Sequence, residues 1–234
     1  MGLRVTSRSL EASPGAWETV EWLHRGGKDK IMPHAEFFTR FGLFSVKRFL
    51  DPGLCRSLLE EARLASGTPA TVGTERSGTY VVDESVRKTK WANVSAETVS
   101  LVAGRLLTLK PELDRYFNVT LTDCQVPQFL VYRQGDFFQA HRDSRHDPEA
   151  AERSKERQVA TVIFLNEEAE EPGPDWYGGG SLTFYGLMGD PRTEGLGFPL
   201  VGETGLLIAF RPDLLHEVTP VTHGERHTVV SWFR

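Results

Sequence analysis

Cysteine is scarce in this chain: Cys55 and Cys124 are its two thiols in 234 residues. Two thiols in a chain of this length do not make a disulfide framework, and the plain reading is a pair of reduced thiols in a cytosolic protein. A surplus of positive charge is missing as well. Lys and Arg number 27 against 32 Asp and Glu, a formal net charge of -5. That weighs against nucleic acid as the main partner, because phosphate binding needs a concentrated basic surface. No apolar run reaches the ~20 residues of a membrane helix, and the first residues lack the apolar core of a secretory signal. There is no internal repeat and no low-complexity stretch. The composition, 39% hydrophobic and 25% charged, is that of a globular domain long enough to bury a substantial core. The expectation is a soluble, cytoplasmic protein with no membrane partner; nothing in the composition sets its oligomeric state.

Residues 1–35 show no clear hydrophobic period and carry Trp17, Trp22 and Gly26-Gly27; they read as an extension of unknown role. Residues 36–234 read as one domain, with helical support over 51–117 and a β-rich core over 123–234. A first strand is expected from Phe41 to Leu50. Asp51-Pro52 then forms a helix start, with Asp as N-cap and Pro in the first turn. Leu54, Leu58, Leu59 and Ala62 lie on one face of that helix, and Gly67 suits its stop. A second helix is expected from Ser95 to Leu109, with Val99, Val102, Ala103, Leu106 and Leu107 at helical spacing and Pro111 ending it. Between the two helices, residues 68–93 read as short strands and a loop.

From Asp123 onward the chain breaks into short β-prone runs separated by turns. They are Gln125–Tyr132, Phe137–His141, Gln158–Leu165, Gly180–Tyr185, Gly205–Phe210, Glu217–Val221 and Arg226–Phe233. Many short strands with Gly and Pro between them indicate a sandwich or barrel, and a jelly roll with its site at the open mouth is the simplest solution. The charged run 144–157 reads as a solvated loop placed where a lid could sit.

His141 and Asp143 stand two positions apart, a spacing that on a strand puts both side chains on one face. His216 brings a second imidazole. Two histidines and one carboxylate, with the remaining positions open, are the ligand set of non-haem Fe(II) oxygenases. Arg226, ten positions after His216, supplies a fixed planar cation suited to a carboxylate. Tyr132 stands where a phenol could add a hydrogen bond to that carboxylate. His146 with Asp147, His223 and His227 compete as ligands, but only His216 is followed by a Pro and a spaced Arg. Arg87, Lys88 and Lys90 form a basic cluster before Trp91, whose plain reading is a solvated loop and whose sharper reading is a loop that selects an acidic or polypeptide substrate.

The chain resembles the prolyl-hydroxylase branch of the Fe(II)/2-oxoglutarate-dependent dioxygenases. The resemblance rests on Tyr132-x-x-Gly135, His141-x-Asp143, Leu165-Asn166, Gly179-Gly180-x-Leu182-x-Phe184, Phe210, His216-Glu-Val-x-Pro220, Gly224-x-Arg226 and Trp232, and it covers roughly residues 49–234. It implies a mainly β fold with supporting helices and a double-stranded β-helix, or jelly-roll, core. It further implies Fe(II) held by His141, Asp143 and His216, 2-oxoglutarate as cosubstrate gripped by Arg226 and Tyr132, and dioxygen as oxidant. Trp232 and Arg87 are the candidate substrate residues. Asp143 argues against a halogenase, in which a small residue stands there. The related nucleic-acid repair enzymes carry a second arginine closer after the distal histidine, where this chain has Thr222.

The activity so implied is hydroxylation of an unactivated C–H bond, with a prolyl residue in a peptide or protein as the leading substrate. A free amino acid or small biosynthetic intermediate is the alternative substrate. A jelly-roll metal-binding module that has lost turnover is the alternative of another class.

Overall fold

The structure, a computed structural model, describes residues 35–73, 80–144 and 156–234. The extension 1–35, apart from its last residue, and most of the expected lid 144–157 lie outside the described residues. The described residues all fall in one contact unit. Near its start, in the helix Ala35–Thr39, Phe38 is fully buried in the core.

The helices form where the sequence caps them. In Pro52–Leu64, the Asp51 carboxylate accepts from the Leu54 N–H at 3.0 Å, and Pro52 occupies the first turn. Cys55, Leu58, Leu59 and Ala62 are its buried face; each fully buried Leu is worth about 1.5–3 kcal/mol. Ser95 caps Ala96–Thr108 in the same way. Glu61 reaches across from the first of these helices, accepting from the Ser95 N–H at 2.6 Å and the Thr98 hydroxyl at 2.5 Å. One carboxylate therefore ties the two helices together at an N-terminus, where negative charge is favoured.

Two sheets face each other. The larger has seven strands, in the order Phe44–Val46, Leu207–Phe210, Val159–Phe164, Arg226–Phe233, Gln128–Tyr132, Lys90–Ala92 and Gly67–Pro69. The smaller has five, in the order Phe198–Leu200, Leu182–Phe184, His216–Val218, Phe137–His141 and Arg87–Lys88. All pairings within both are antiparallel. A three-stranded piece, Glu167–Glu168, Trp176–Gly179 and Val221–Gly224, and the pair Val72–Gly73 with Tyr80–Val81 complete the described strands.

Strand parity separates the two functions of the larger sheet. In Arg226–Phe233, Val229 and Phe233 join the cluster formed with the helices through Leu58, Val102 and Leu106. Arg226, Thr228, Val230 and Trp232 face the other way and line a cavity between the sheets. Gln128, Leu130 and Tyr132 do the same on the neighbouring strand, while Phe129 packs on the helical side. Successive side chains on a strand point to opposite faces, so one short sequence serves core and cavity at once.

Several expectations need correction. The strand expected over Phe41–Leu50 is confined to Phe44–Val46. Gly67 does not stop the helix: Ala65 ends it in extended conformation, and Gly67 pairs with Ala92. Pro111 does not merely end a helix but sits in the first turn of another, Lys110–Phe117, as its missing N–H allows. The stretch expected at Glu217–Val221 is two strands, His216–Val218 and Val221–Gly224, since Pro220 cannot donate to a ladder. The strands Trp176–Gly179 and Phe198–Leu200 were not anticipated, because Gly and Pro dilute their pattern. Among the described residues, no helix is long and apolar enough to cross a membrane.

Candidate active site

The smaller sheet brings the two imidazoles together. His216 and His141 are registered partners on adjacent antiparallel strands, and their ring centroids are 4.3 Å apart. Asp143 lies two residues beyond the end of Phe137–His141, in a bend and not on the strand. The same-face argument from spacing is therefore not what aims its carboxylate. The backbone is pinned instead: the N–H groups of Asp143 and Ser144 both donate to the Pro212 carbonyl, at 2.7 and 3.0 Å. Arg157 donates to the Asp143 carbonyl at 2.9 Å.

The ligand atoms of His141, Asp143 and His216 all lie within 4.8 Å of one another. His141 Nε2 is 3.6 Å from one Asp143 oxygen, and His216 Nε2 is 3.7 Å from the other. The remaining ring nitrogens are held by backbone: His141 Nδ1 donates to the Gln139 carbonyl at 2.8 Å, and His216 Nδ1 to the Leu214 carbonyl at 2.9 Å. A second-shell bond of this kind fixes tautomer and ring orientation and leaves Nε2 for a metal.

Electrostatics favours the same state. Burial pushes the His216 imidazole down to about 4, helped by His141 and opposed by Asp143. Burial acts to raise the Asp143 carboxyl, but His216, then His141 and Arg157, outweigh it and hold the group below the usual carboxylate range. A neutral His216 beside an ionised Asp143 is the protonation state that a divalent cation requires. Apolar rings shield the centre. Phe138 stacks on His141 at 3.6 Å, and Phe210 meets His216 edge-on at 4.8 Å.

The larger sheet supplies the opposite wall. Arg226 and Tyr132 are registered partners on neighbouring strands, each 1% exposed. The Arg226 guanidinium lies 5.1 Å from the Tyr132 ring and 5.2 Å from that of Phe164. It donates to the Thr228 hydroxyl at 3.2 Å, and its Nε is buried without a partner. Among the described residues, no carboxylate forms an ion pair with it. Gly180 makes room for it: a Cβ there would come within 3.0 Å of Arg226 Cδ, and its φ of +61° is one that favours glycine.

His141, Asp143, His216, Arg226, Tyr132 and Thr228 all line one cavity of about 760 Å³. Trp232 lies in its wall, 7% exposed, with the Arg157 guanidinium 3.7 Å over its ring. Arg87 is there too, but not as part of a solvated loop. It pairs with Phe138 at the edge of the smaller sheet, is 8% exposed, and holds its guanidinium 4.6 Å from the Phe138 ring. Lys88 and Lys90 are exposed, and Lys88 pairs with Asp136. The competing histidines go elsewhere: His227 faces Glu225 at 3.3 Å, and His223 packs over Gly178. His146 lies outside the described residues.

Sequence reasoning missed Arg157, Phe138 and Thr228. Arg157 falls in the charged run 144–157 and gives no signal of its own. Phe138 and Thr228 were legible from parity, since Thr228 alternates with Arg226 on one strand.

Residues 127–234 match the family model of the 2OG-Fe(II) oxygenase superfamily. A PKHD-type hydroxylase of Bordetella pertussis is 34% identical over 110 residues, covering 46% of this chain and 42% of that protein. One from Teredinibacter turnerae is 28% identical over 108 residues, with the same coverage. The chain thus spans less than half the length of the curated relatives it matches. Among solved structures, a Pseudomonas putida prolyl-4-hydroxylase superposes with a TM-score of 0.61 at 23% identity, covering 85% of this chain and 95% of that one. A Trichoplax adhaerens prolyl hydroxylase, in complex with a hypoxia inducible factor peptide fragment, superposes with a TM-score of 0.63 at 17% identity, covering 85% and 86%.

Proposed function

Starting from a chain whose residues 127–234 match the family model of the 2OG-Fe(II) oxygenase superfamily, we propose that it is an Fe(II)- and 2-oxoglutarate-dependent hydroxylase acting on a peptide or protein, with a prolyl residue as target. The observation that carries this reading is the placement of the His141–Asp143–His216 cluster and of Arg226, with which no carboxylate among the described residues forms an ion pair, on facing walls of one cavity.

The residues suit the group. Two imidazole nitrogens and a carboxylate oxygen are the donors that non-haem iron takes with positions left open. When bound, iron with a 2-oxo acid supplies oxidative decarboxylation and dioxygen activation, the chemistry that unactivated C–H bonds demand. The chain's own part is to bind, orient and shield. His141, Asp143 and His216 would hold the metal, with both Nδ1–H groups anchored on backbone carbonyls. Arg226 would take the distal carboxylate of the cosubstrate, its fork matched to two oxygens, with the Tyr132 hydroxyl beside it. Burial against Tyr132 and Phe164 keeps water from screening that charge. Phe138 and Phe210 exclude water from the metal side.

The peptide reading draws support from the cavity rim. Tyr80 and Val81 belong to the pair Val72–Gly73 with Tyr80–Val81, line the cavity, and are 48% and 42% exposed. Exposed apolar groups beside a cleft suit an extended polypeptide. Two of the solved structures that share its fold are prolyl hydroxylases, one holding a peptide.

Anaerobic titration of the full chain with Fe(II) and then 2-oxoglutarate, followed by visible absorbance, tests the assignment. A weak charge-transfer band that needs both additions is expected. A folded protein that binds iron and never yields the band would defeat it.

A further inference from the structure

We infer that the substrate presents a carboxylate to Arg87, so that this chain selects an anionic substrate; the inference rests on the oxygenase reading and names the substrate chemistry of that same cavity.

Arg87 is over nine-tenths buried, yet its donors are not used up. Nη1 donates to the Thr71 carbonyl at 3.1 Å, while Nε is buried with no partner. A guanidinium carries five N–H donors, and leaving a buried charged donor unsatisfied is costly. Stacking on Phe138 places the cation but satisfies none of those donors. The geometry that would satisfy Nε–H together with an Nη–H is the two-oxygen fork of a carboxylate.

The protein offers no such group of its own among the described residues. Asp83, the acid nearest in sequence on the cavity wall, is turned inward on its own loop, accepting from the Ser85 N–H at 3.0 Å and the Ser85 hydroxyl at 2.6 Å. Asp136 accepts from the Arg133 N–H at 2.9 Å and pairs with Lys88 at 3.5 Å. Asp143 belongs to the metal cluster.

Place supports the same conclusion. The Phe138 ring that receives Arg87 also stacks on His141, so the cation stands beside the metal cluster, on the sheet facing Arg226. A substrate carboxylate there would lie close to the carbon to be oxidised. In a chain of net charge -5, the charged side chains on this cavity wall are Arg87, Arg142, Arg157 and Arg226 against Asp83 and Asp143, among the described residues. The local sign is opposite to that of the whole chain, which concentrates anionic ligands in the cleft. An acidic residue flanking the target proline and the carboxylate of a free amino acid share this chemistry.

The experiment uses the full chain loaded with Fe(II) and 2-oxoglutarate. The charge-transfer band is read first, and its absence sinks the oxygenase reading itself. With the band in place, turnover is measured on a proline-centred peptide flanked by Asp and Glu, on its amidated Asn/Gln counterpart, and on free L-proline. The acidic peptide, or free proline, is expected to exceed the amidated peptide at least tenfold in kcat/KM. In Arg87→Gln that preference should vanish, mostly through KM, and Arg87→Lys should restore part of it. An amidated peptide turned over as well as both the acidic peptide and free proline overturns the inference, as does a preference that survives in a folded Arg87→Gln. Failure of all three substrates to support turnover while the band forms overturns it as well.

Discussion

His216 and His141 face each other as registered partners across two antiparallel strands, with a register irregularity following directly after His216. The two imidazoles are thus set by backbone hydrogen bonds of the smaller sheet, whereas Asp143 depends on a bend outside it. The three candidate ligand positions should therefore respond differently to mutation.

Asp143→Ala should leave the fold intact, since its backbone contacts to Pro212 and Arg157 do not involve the carboxylate. Iron-dependent turnover should fall by more than the roughly 100-fold seen when an outer-shell partner is lost. Far-UV circular dichroism and anaerobic iron titration check the two halves. Turnover that stays near wild type would remove Asp143 from the ligand set.

Arg157→Ala is a subtler change. It frees the Asp143 carbonyl and uncovers Trp232. Iron affinity should drop about tenfold, the scale of a second-shell loss, and Trp232 emission should shift. Iron binding as tight as wild type would show that Pro212 alone holds the bend.

Arg226→Ala removes the buried cation that faces the metal cluster. A charged hydrogen bond of this kind is worth about 2 kcal/mol, or roughly thirtyfold in the Kd for 2-oxoglutarate, while iron affinity stays near wild type. An oxo-acid affinity that does not change would mean that another side chain grips the carboxylate.

Gly180→Ala reaches the same cation from behind. A Cβ there would press Val221 Cγ2 at 2.8 Å and Arg226 Cδ at 3.0 Å, at a φ of +61°. The backbone strain costs roughly 1–2 kcal/mol. Both Tm and 2-oxoglutarate affinity should fall. Gly104→Ala, within the helix Ala96–Thr108 and with open space around it, should instead stabilise by about 0.5–1 kcal/mol. Equal effects at the two sites would refute the packing argument.

Acid should unfold this domain through the Glu225–His227 pair. The His227 ring, and then the Arg133 guanidinium, hold the Glu225 carboxyl down to about 2 from an ordinary 4.5. Burial pushes His227 below its ordinary 6.5. Both folded values lie below the unfolded ones, so in acid the unfolded chain binds protons first and stability falls with pH. The loss should begin below about 6.5, as the unfolded histidine protonates, and continue from 4.5 toward 2 through Glu225. Urea midpoints across this range check it, and His227→Asn should flatten the upper limb in part, the rest arising from His216, which burial pushes down to about 4. A midpoint that holds constant from pH 7 to 4 would contradict the assignment.

The sequence made some elements plain and hid others for physical reasons. Phe137–His141 and Arg226–Phe233 were read to the residue, because β-rich runs bounded by turn residues leave little freedom. The helix after Asp51 was legible from its cap. Residues 68–93 are short strands, as the sequence reads, but which sheet each strand joins was not legible. Their short strands gain stability from the edges of larger sheets, a tertiary effect that local pattern does not carry. Arg87 shows the cost of that blindness: its neighbours Lys88 and Lys90 are solvated, and only pairing with Phe138 turns it inward. The orientation of Asp143 was inferred from spacing but arises from Pro212 and Arg157, both distant in sequence.

The strand Arg226–Phe233 is hydrogen-bonded along both edges, to Gln128–Tyr132 and to Val159–Phe164. A single-codon deletion near its middle would rotate the remainder by one facing. Either Arg226 would be turned among the helices or Phe233 into the cavity, so core and chemistry would fail together. Substitutions, which keep the facing, can alter one without the other. Descendants of this gene should therefore vary along this strand in residue identity and hardly at all in length.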